Sequence, residues 1–227
     1  MMPTRRPIDR TQRDELRRRA GFSLIEMIVV MGIIVLLASI LLPSLAAARE
    51  QAKAAVCRSN ISQIMLANRY YAEDQAGVYC PGAADFLGNL HRWHGARDRQ
   101  GEPFDSSRGP LAPYLGPEGL IRQCPTFPAD EIAARSGGFE RGNGGYGYNN
   151  AYLGVQTRKL SSGETEITND RAGVVADWVN RPAETVMFTD AAFAASNLIE
   201  YSFAEPRFHP QWAGFRADPS THFRHAG

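Results

Sequence analysis

Residues 22–42 read FSLIEMIVVMGIIVLLASILL, and their reading decides the fold. The run holds 21 residues and a single charge, Glu26. As a helix it extends about 30 Å, the thickness of a bilayer's hydrocarbon core. Ahead of it, residues 1–21 carry seven arginines against three acidic residues. Only Arg49, Lys53 and Arg58 follow closely. The heavier basic side stays cytoplasmic, so the C-terminal body is expected across the inner membrane. What remains after the leader is slightly acidic, 18 basic against 21 acidic residues, which gives no electrostatic reason to expect nucleic-acid binding.

An ordinary secretory signal also begins with basic residues and an apolar core, and Ala46-Ala47-Ala48 fits its small-residue cleavage site. Two features oppose it. The apolar run exceeds the roughly 7–15 residues of a usual signal core. Glu26 is also left unexplained, because an unpaired carboxylate in the membrane interior costs about 2.5–3.5 kcal/mol on insertion scales. A twin-arginine signal fits less well, since Phe22 lies too far beyond Arg18-Arg19.

Gly21-Phe22-Ser23-Leu24-Ile25-Glu26 resembles the processing site of type IV prepilins and type II secretion pseudopilins. The resemblance implies a prepilin peptidase that cuts after Gly21 and methylates Phe22. It places Glu26 at the fifth mature position, where the family carries its hallmark glutamate, and Pro43 where such pilins often bend the helix. It further implies that Glu26 of an incoming subunit neutralises the Phe22 amine of its neighbour. Each charge is costly alone in lipid and tolerable as a pair. Other pilin or pseudopilin subunits and an inner-membrane assembly platform are the partners so implied. A carboxylate capping the helix N-terminus is a second, compatible role for Glu26.

Residues 44–74 continue in helical pattern, with no Gly or Pro between Pro43 and Gly77. Ala54, Cys57, Ile61, Ile64 and Tyr71 fall on one stripe, broken by Asn68. Pro43 lacks an amide donor and is expected to kink the rod. The organisation read from these signals is a leader over 1–21, a transmembrane or filament-core helix over 22–42, an amphipathic continuation over 43–76 and a periplasmic head over 77–227.

The head is turn-rich, with strand-like runs at 173–179 and 185–189. An α+β, pilin-like fold is expected: one long helix packed on a small antiparallel-sheet head with long loops. Cys57-Arg58-Ser59-Asn60 with Cys80-Pro81, Tyr146-Gly147-Tyr148-Asn149 and residues 182–190, PAETVMFTD, are similar to a large group of pilin-like proteins whose C-terminal motif is His, nine residues, then Asp-Gly. Arg224-His225-Ala226-Gly227 looks like the opening of that motif, without its second half.

Candidate sites in the head are few. Cys80 and Cys124 each precede a proline, and an oxidising compartment would allow a disulfide between them, two free thiols being the other reading. Cys57 is expected buried on the helix stripe. His91 with His94, and His222 with His225, have a spacing that suits metal ligands on a helix, yet loops surround both pairs and solvated histidines are the preferred reading. Asp170, Asp177 and Asp190 match no calcium loop. Residues 137–147, GGFERGNGGYG, lack the ending of a phosphate loop and read as a flexible connection into Tyr146. Trp93, Trp178 and Trp212 are either surface contacts or core. No catalytic constellation is present in the sequence, so no enzyme activity, cofactor or metal is expected. The expected function is a structural filament subunit; the alternatives are a secreted or anchored periplasmic binding or enzymatic domain behind an ordinary signal, and an anchored protein that is never cut.

Overall fold

The computed structural model describes residues 22–127, 140–194, 198–206 and 220–221. The chain divides into two units, Met1–Arg49 and Glu50–Gly227. Helix α1, Leu24–Asp74, supplies the described secondary structure of the first and opens the second. It is the one described helix long and apolar enough to cross a membrane. It runs through Pro43 without interruption. Inside its apolar part, Ser39 and Ser44 turn their hydroxyls back onto the carbonyls of Leu36 and Leu41, at 2.7 and 2.9 Å. That local bond hides a polar group that lipid would not solvate.

The end of α1 is built from backbone. Gly77 N–H reaches back to Ala72 C=O at 2.7 Å, the six-to-one bond of a Schellman close. The left-handed position inside it is filled by Ala76, at φ 52, and Gly77 follows at φ 84. The chain then reverses and pairs with residues 173–176: Tyr79 N–H donates to Val174 C=O at 3.0 Å, and Val78 bridges Val175.

Eight short strands follow among the described residues, paired as four antiparallel two-stranded ladders. They are β1 (His91–Arg92) with β2 (Gly95–Ala96), β3 (Tyr146–Tyr148) with β6 (Phe188–Asp190), β4 (Gln156–Lys159) with β5 (Thr165–Asn169), and β7 (Phe193–Ala194) with β8 (Leu198–Ile199). The fold is the α+β, pilin-like arrangement expected. Its sheet is more fragmented than a single packed layer. The 173–179 run is no named strand: it bridges Val78 through Val175, hydrogen-bonds to Gly77, Tyr79 and Leu153, and then forms a 3-10 turn, Ala176–Trp178. Gly173 is packed too tightly for a side chain: a Cβ on it would stand 2.5–2.8 Å from three carbonyl oxygens, those of Tyr79, Leu153 and Cys80.

The core of the second unit forms where α1 meets β3. Cys57, Asn60, Ile64, Ala67, Asn68 and Ala72 are the buried residues of the helix. Tyr146 and Tyr148, two apart on β3, share one face of the strand and are both fully buried. Asn60 donates to the Tyr146 hydroxyl at 3.0 Å, and Asn68 to the Tyr148 hydroxyl at 3.3 Å. Asn68 therefore anchors the stripe it interrupts. Its Oδ1 also accepts the Cys80 amide at 2.9 Å, so both ends of the carboxamide are used. Behind the tyrosines, Phe188 stacks on Tyr148 at 4.7 Å and Trp93 lies 5.0 Å from Phe188.

Candidate functional site: the start of the apolar helix

Ser23 and Glu26 begin α1 as a reciprocal pair. The Ser23 amide donates to Glu26 Oε2 at 2.8 Å, and the Glu26 amide donates to Ser23 Oγ at 3.3 Å. This is a capping box, which satisfies two of the donors that every helix start leaves open. The carboxylate also meets the positive end of the helix dipole. The capping role expected of Glu26 is thus seen. Oε1 has no hydrogen-bond partner among the described residues, so one oxygen remains for a further cation.

Phe22 is 80% exposed and immediately precedes the cap. Gly21 lies outside the described residues. From Phe22 to Gln51 no residue is buried, and apolar side chains point outward on every side of α1. A helix hydrophobic all round and unburied in its own chain requires lipid or other helices around it. By length and composition, a helix of this kind is able to cross a membrane. The model of the prokaryotic N-terminal methylation motif matches residues 16–42, so the chain carries a prepilin-type N-terminus. That motif implies prepilin peptidase processing, membrane anchoring before assembly, and a pilin-like role of the kind that typically has no enzymatic activity. No curated protein and no solved structure matches the chain.

The cysteine expectation is corrected. Cys124 is bonded to Cys57, with Cα atoms 5.2 Å apart, and Cys80 is a free, buried thiol. Asn60, less than one turn beyond Cys57, reaches the carbonyls of Arg122 and Gln123 at 3.4 and 3.5 Å. The same helix face therefore presents Cys57 to Cys124. Cys80 is held further along α1 by Asn68, and burial pushes its thiol well above the ordinary range.

The paired histidines separate. His91 is exposed beside Asp85, while His94 is 1% exposed inside the head. His222 and His225, like Trp212, lie outside the described residues. Trp93 is core and Trp178 is on the surface. Among the described residues no three His, Cys, Asp or Glu side chains group as a metal site. The glycine-rich segment is packed rather than loose where it is described: residues 143–145 are buried, and a Cβ on Gly144, at φ 69, would meet the Arg122 carbonyl at 3.0 Å.

One buried polar network escaped the sequence reading. Arg92 forks onto Glu140 through Nε and Nη2, at 3.2 Å. Ser202 Oγ donates to Glu140 Oε2 and stands 2.7 Å from His94 Nε2. The serine proton being used on the carboxylate, Ser202 must accept from His94, which fixes the Nε2–H tautomer. Burial, then Arg92 and Arg97, hold the His94 imidazole well below its ordinary value. The arrangement superficially resembles a catalytic serine site, but its acid contacts the serine instead of the histidine, and Ser202 is fully buried. It ties residues 92 and 94 to residues 140 and 202.

Proposed function

We propose that the chain is a structural subunit, pseudopilin or minor pilin-like, of a bacterial type II secretion or type IV pilus-type filament. The observation that carries this reading is the capped Glu26 at the head of a helix whose apolar surface is exposed on all sides. Prepilin peptidase cuts between Gly21 and Phe22 and methylates Phe22. The subunit waits in the inner membrane as a single-pass protein, its N-terminus cytoplasmic and its head periplasmic, until the assembly platform lifts it into the filament. Pro43 gives the helix a point of bending during that transfer.

Glu26 then works in two stages. In the waiting subunit its Oε2 holds the Ser23 amide, one peptide unit from the amine that cleavage creates. On assembly its carboxylate meets the Phe22 amine of a neighbour, and the pair sets the axial register. Two charges that would each be costly in an apolar bundle are buried together.

The deciding experiment is intact mass and N-terminal sequencing of the protein from membranes of its native host. A start at methylated Phe22 is expected. A start near Arg49, or an intact Met1, overturns the proposal in favour of an ordinary signal or an uncut anchor.

A further inference from the structure

Trp178 closes the 3-10 turn Ala176–Trp178 and is 67% exposed. A lone exposed aromatic needs no explanation, but this one is mounted. Its amide donates to Val175 C=O at 2.9 Å, and Ala176 N–H donates to Gly77 C=O at 2.8 Å, which fixes the turn against the end of α1. It borders an open pocket of about 630 Å³, a size within the range of small-ligand sites. A second aromatic, Tyr152, 51% exposed, lines the same pocket, together with Asn149, Asn180, Arg181 and Glu184. Neither the Trp178 indole N–H nor the Asn180 carboxamide has a hydrogen-bond partner among the described residues.

We propose that this pocket binds a neutral saccharide. A pyranose ring has a C–H face, which stacks on an indole or phenol, and a rim of hydroxyls that donate and accept in adjacent pairs. The pocket offers both kinds of surface. Trp178 and Tyr152 are rigid amphipathic plates. Asn180, Arg181 and Glu184 each present two neighbouring polar atoms, the pattern that vicinal hydroxyls match. Charge selects against other stacking ligands: Arg181 Nη1 is paired with Glu184 Oε2 at 3.2 Å, so the pocket offers no surplus cation to a phosphate. A second copy of this chain would need a patch of roughly 800 Å² on each partner; here the surface is concave, with a charged pair on its rim. The inference does not depend on the filament reading.

The test uses the full chain in a detergent without a sugar headgroup, titrated with cellohexaose, laminarihexaose and the N-acetylglucosamine hexamer. Binding is read by calorimetry and by tryptophan fluorescence. At least one hexasaccharide is expected to bind, with Trp178→Ala weakening it about tenfold or more and Asn180→Ala several-fold. Trp178→Phe keeps a stacking face and should retain most of the affinity. Both positions are exposed, and unchanged thermal melting identifies variants that have kept the fold; if Trp178→Ala melts early, Asn180→Ala carries the test. The proposal is overturned if none of the three sugars binds, or if binding is indifferent to both alanine variants. It is equally overturned if sugars do not bind and Trp178→Ala instead lowers filament yield, which would make the pocket a contact between subunits.

Discussion

Glu26 serves its own helix before it serves any neighbour, and the two roles separate by mutation. Glu26→Ala should be cut normally yet fail to assemble, read as processed protein in membranes without filaments; normal filaments from that variant would end the charge-pairing account. Ser23→Ala removes one side of the cap, costing about 1 kcal/mol of local helix stability, and should leave processing intact. His94 makes a prediction about pH. Its folded-state value lies below the unfolded 6.5, so the unfolded chain binds the extra proton as pH falls through that value. The histidine therefore lowers the stability of the head as pH drops below about 6.5, and leaves it unaffected above. Melting temperatures of the full chain from pH 8 to 5 should fall more steeply than those of His94→Asn. Glu26 was legible in the sequence because a carboxylate in an apolar run has no bland explanation. The network of His94, Glu140 and Ser202 was not, since its members are scattered along the chain and nothing local marks them.

Among elements, α1 was readable almost to its last residue, because composition alone separates an unbroken helical stretch from the Gly77 region. Its buried face was read less well. Asn68 looked like an interruption, and only the Tyr148 hydroxyl opposite shows why an amide belongs there. Two-residue strands such as β1 leave no periodicity to detect, which is why the ladders were not foreseen individually. The terminus of α1 offers a stabilising change. Ala76 occupies a left-handed conformation that costs a non-glycine residue about 1–2 kcal/mol. Ala76→Gly should therefore raise the melting temperature, a gain that the added freedom of glycine in the unfolded chain partly offsets. The disulfide predicts the opposite sign. Cys57→Ser should cost about 4 kcal/mol for a closure spanning 67 residues, and should abolish the mobility difference between oxidised and reduced protein on gels. Cys80→Ser should leave that difference in place.

At the scale of the whole molecule, the leader, apolar run and head were legible as a sequence of compartments, since charge and hydropathy act over tens of residues. Gly21→Ala should leave an uncut 25.0 kDa precursor in the membrane, detected by immunoblot beside the shorter wild-type product. Nothing in the same large-scale reading located the Trp178 pocket, which is assembled from loops whose approach only the fold determines.

A subunit held by its helix and tugged by its head is a mechanical object, and the Cys57–Cys124 bond decides how it yields. Tension entering along α1 leaves the helix at Cys57 and crosses covalently to Cys124. The chain between them, including the last turns of α1 and the reversal at Gly77, carries no load. That hidden length is 67 residues, roughly 220–240 Å when extended. Pulled in an oxidising medium, the head should extend without it; pulled after reduction, it should release that length as an additional step. The bond thus works as a strain limiter: while it is intact, none of the chain between Cys57 and Cys124 can be drawn out.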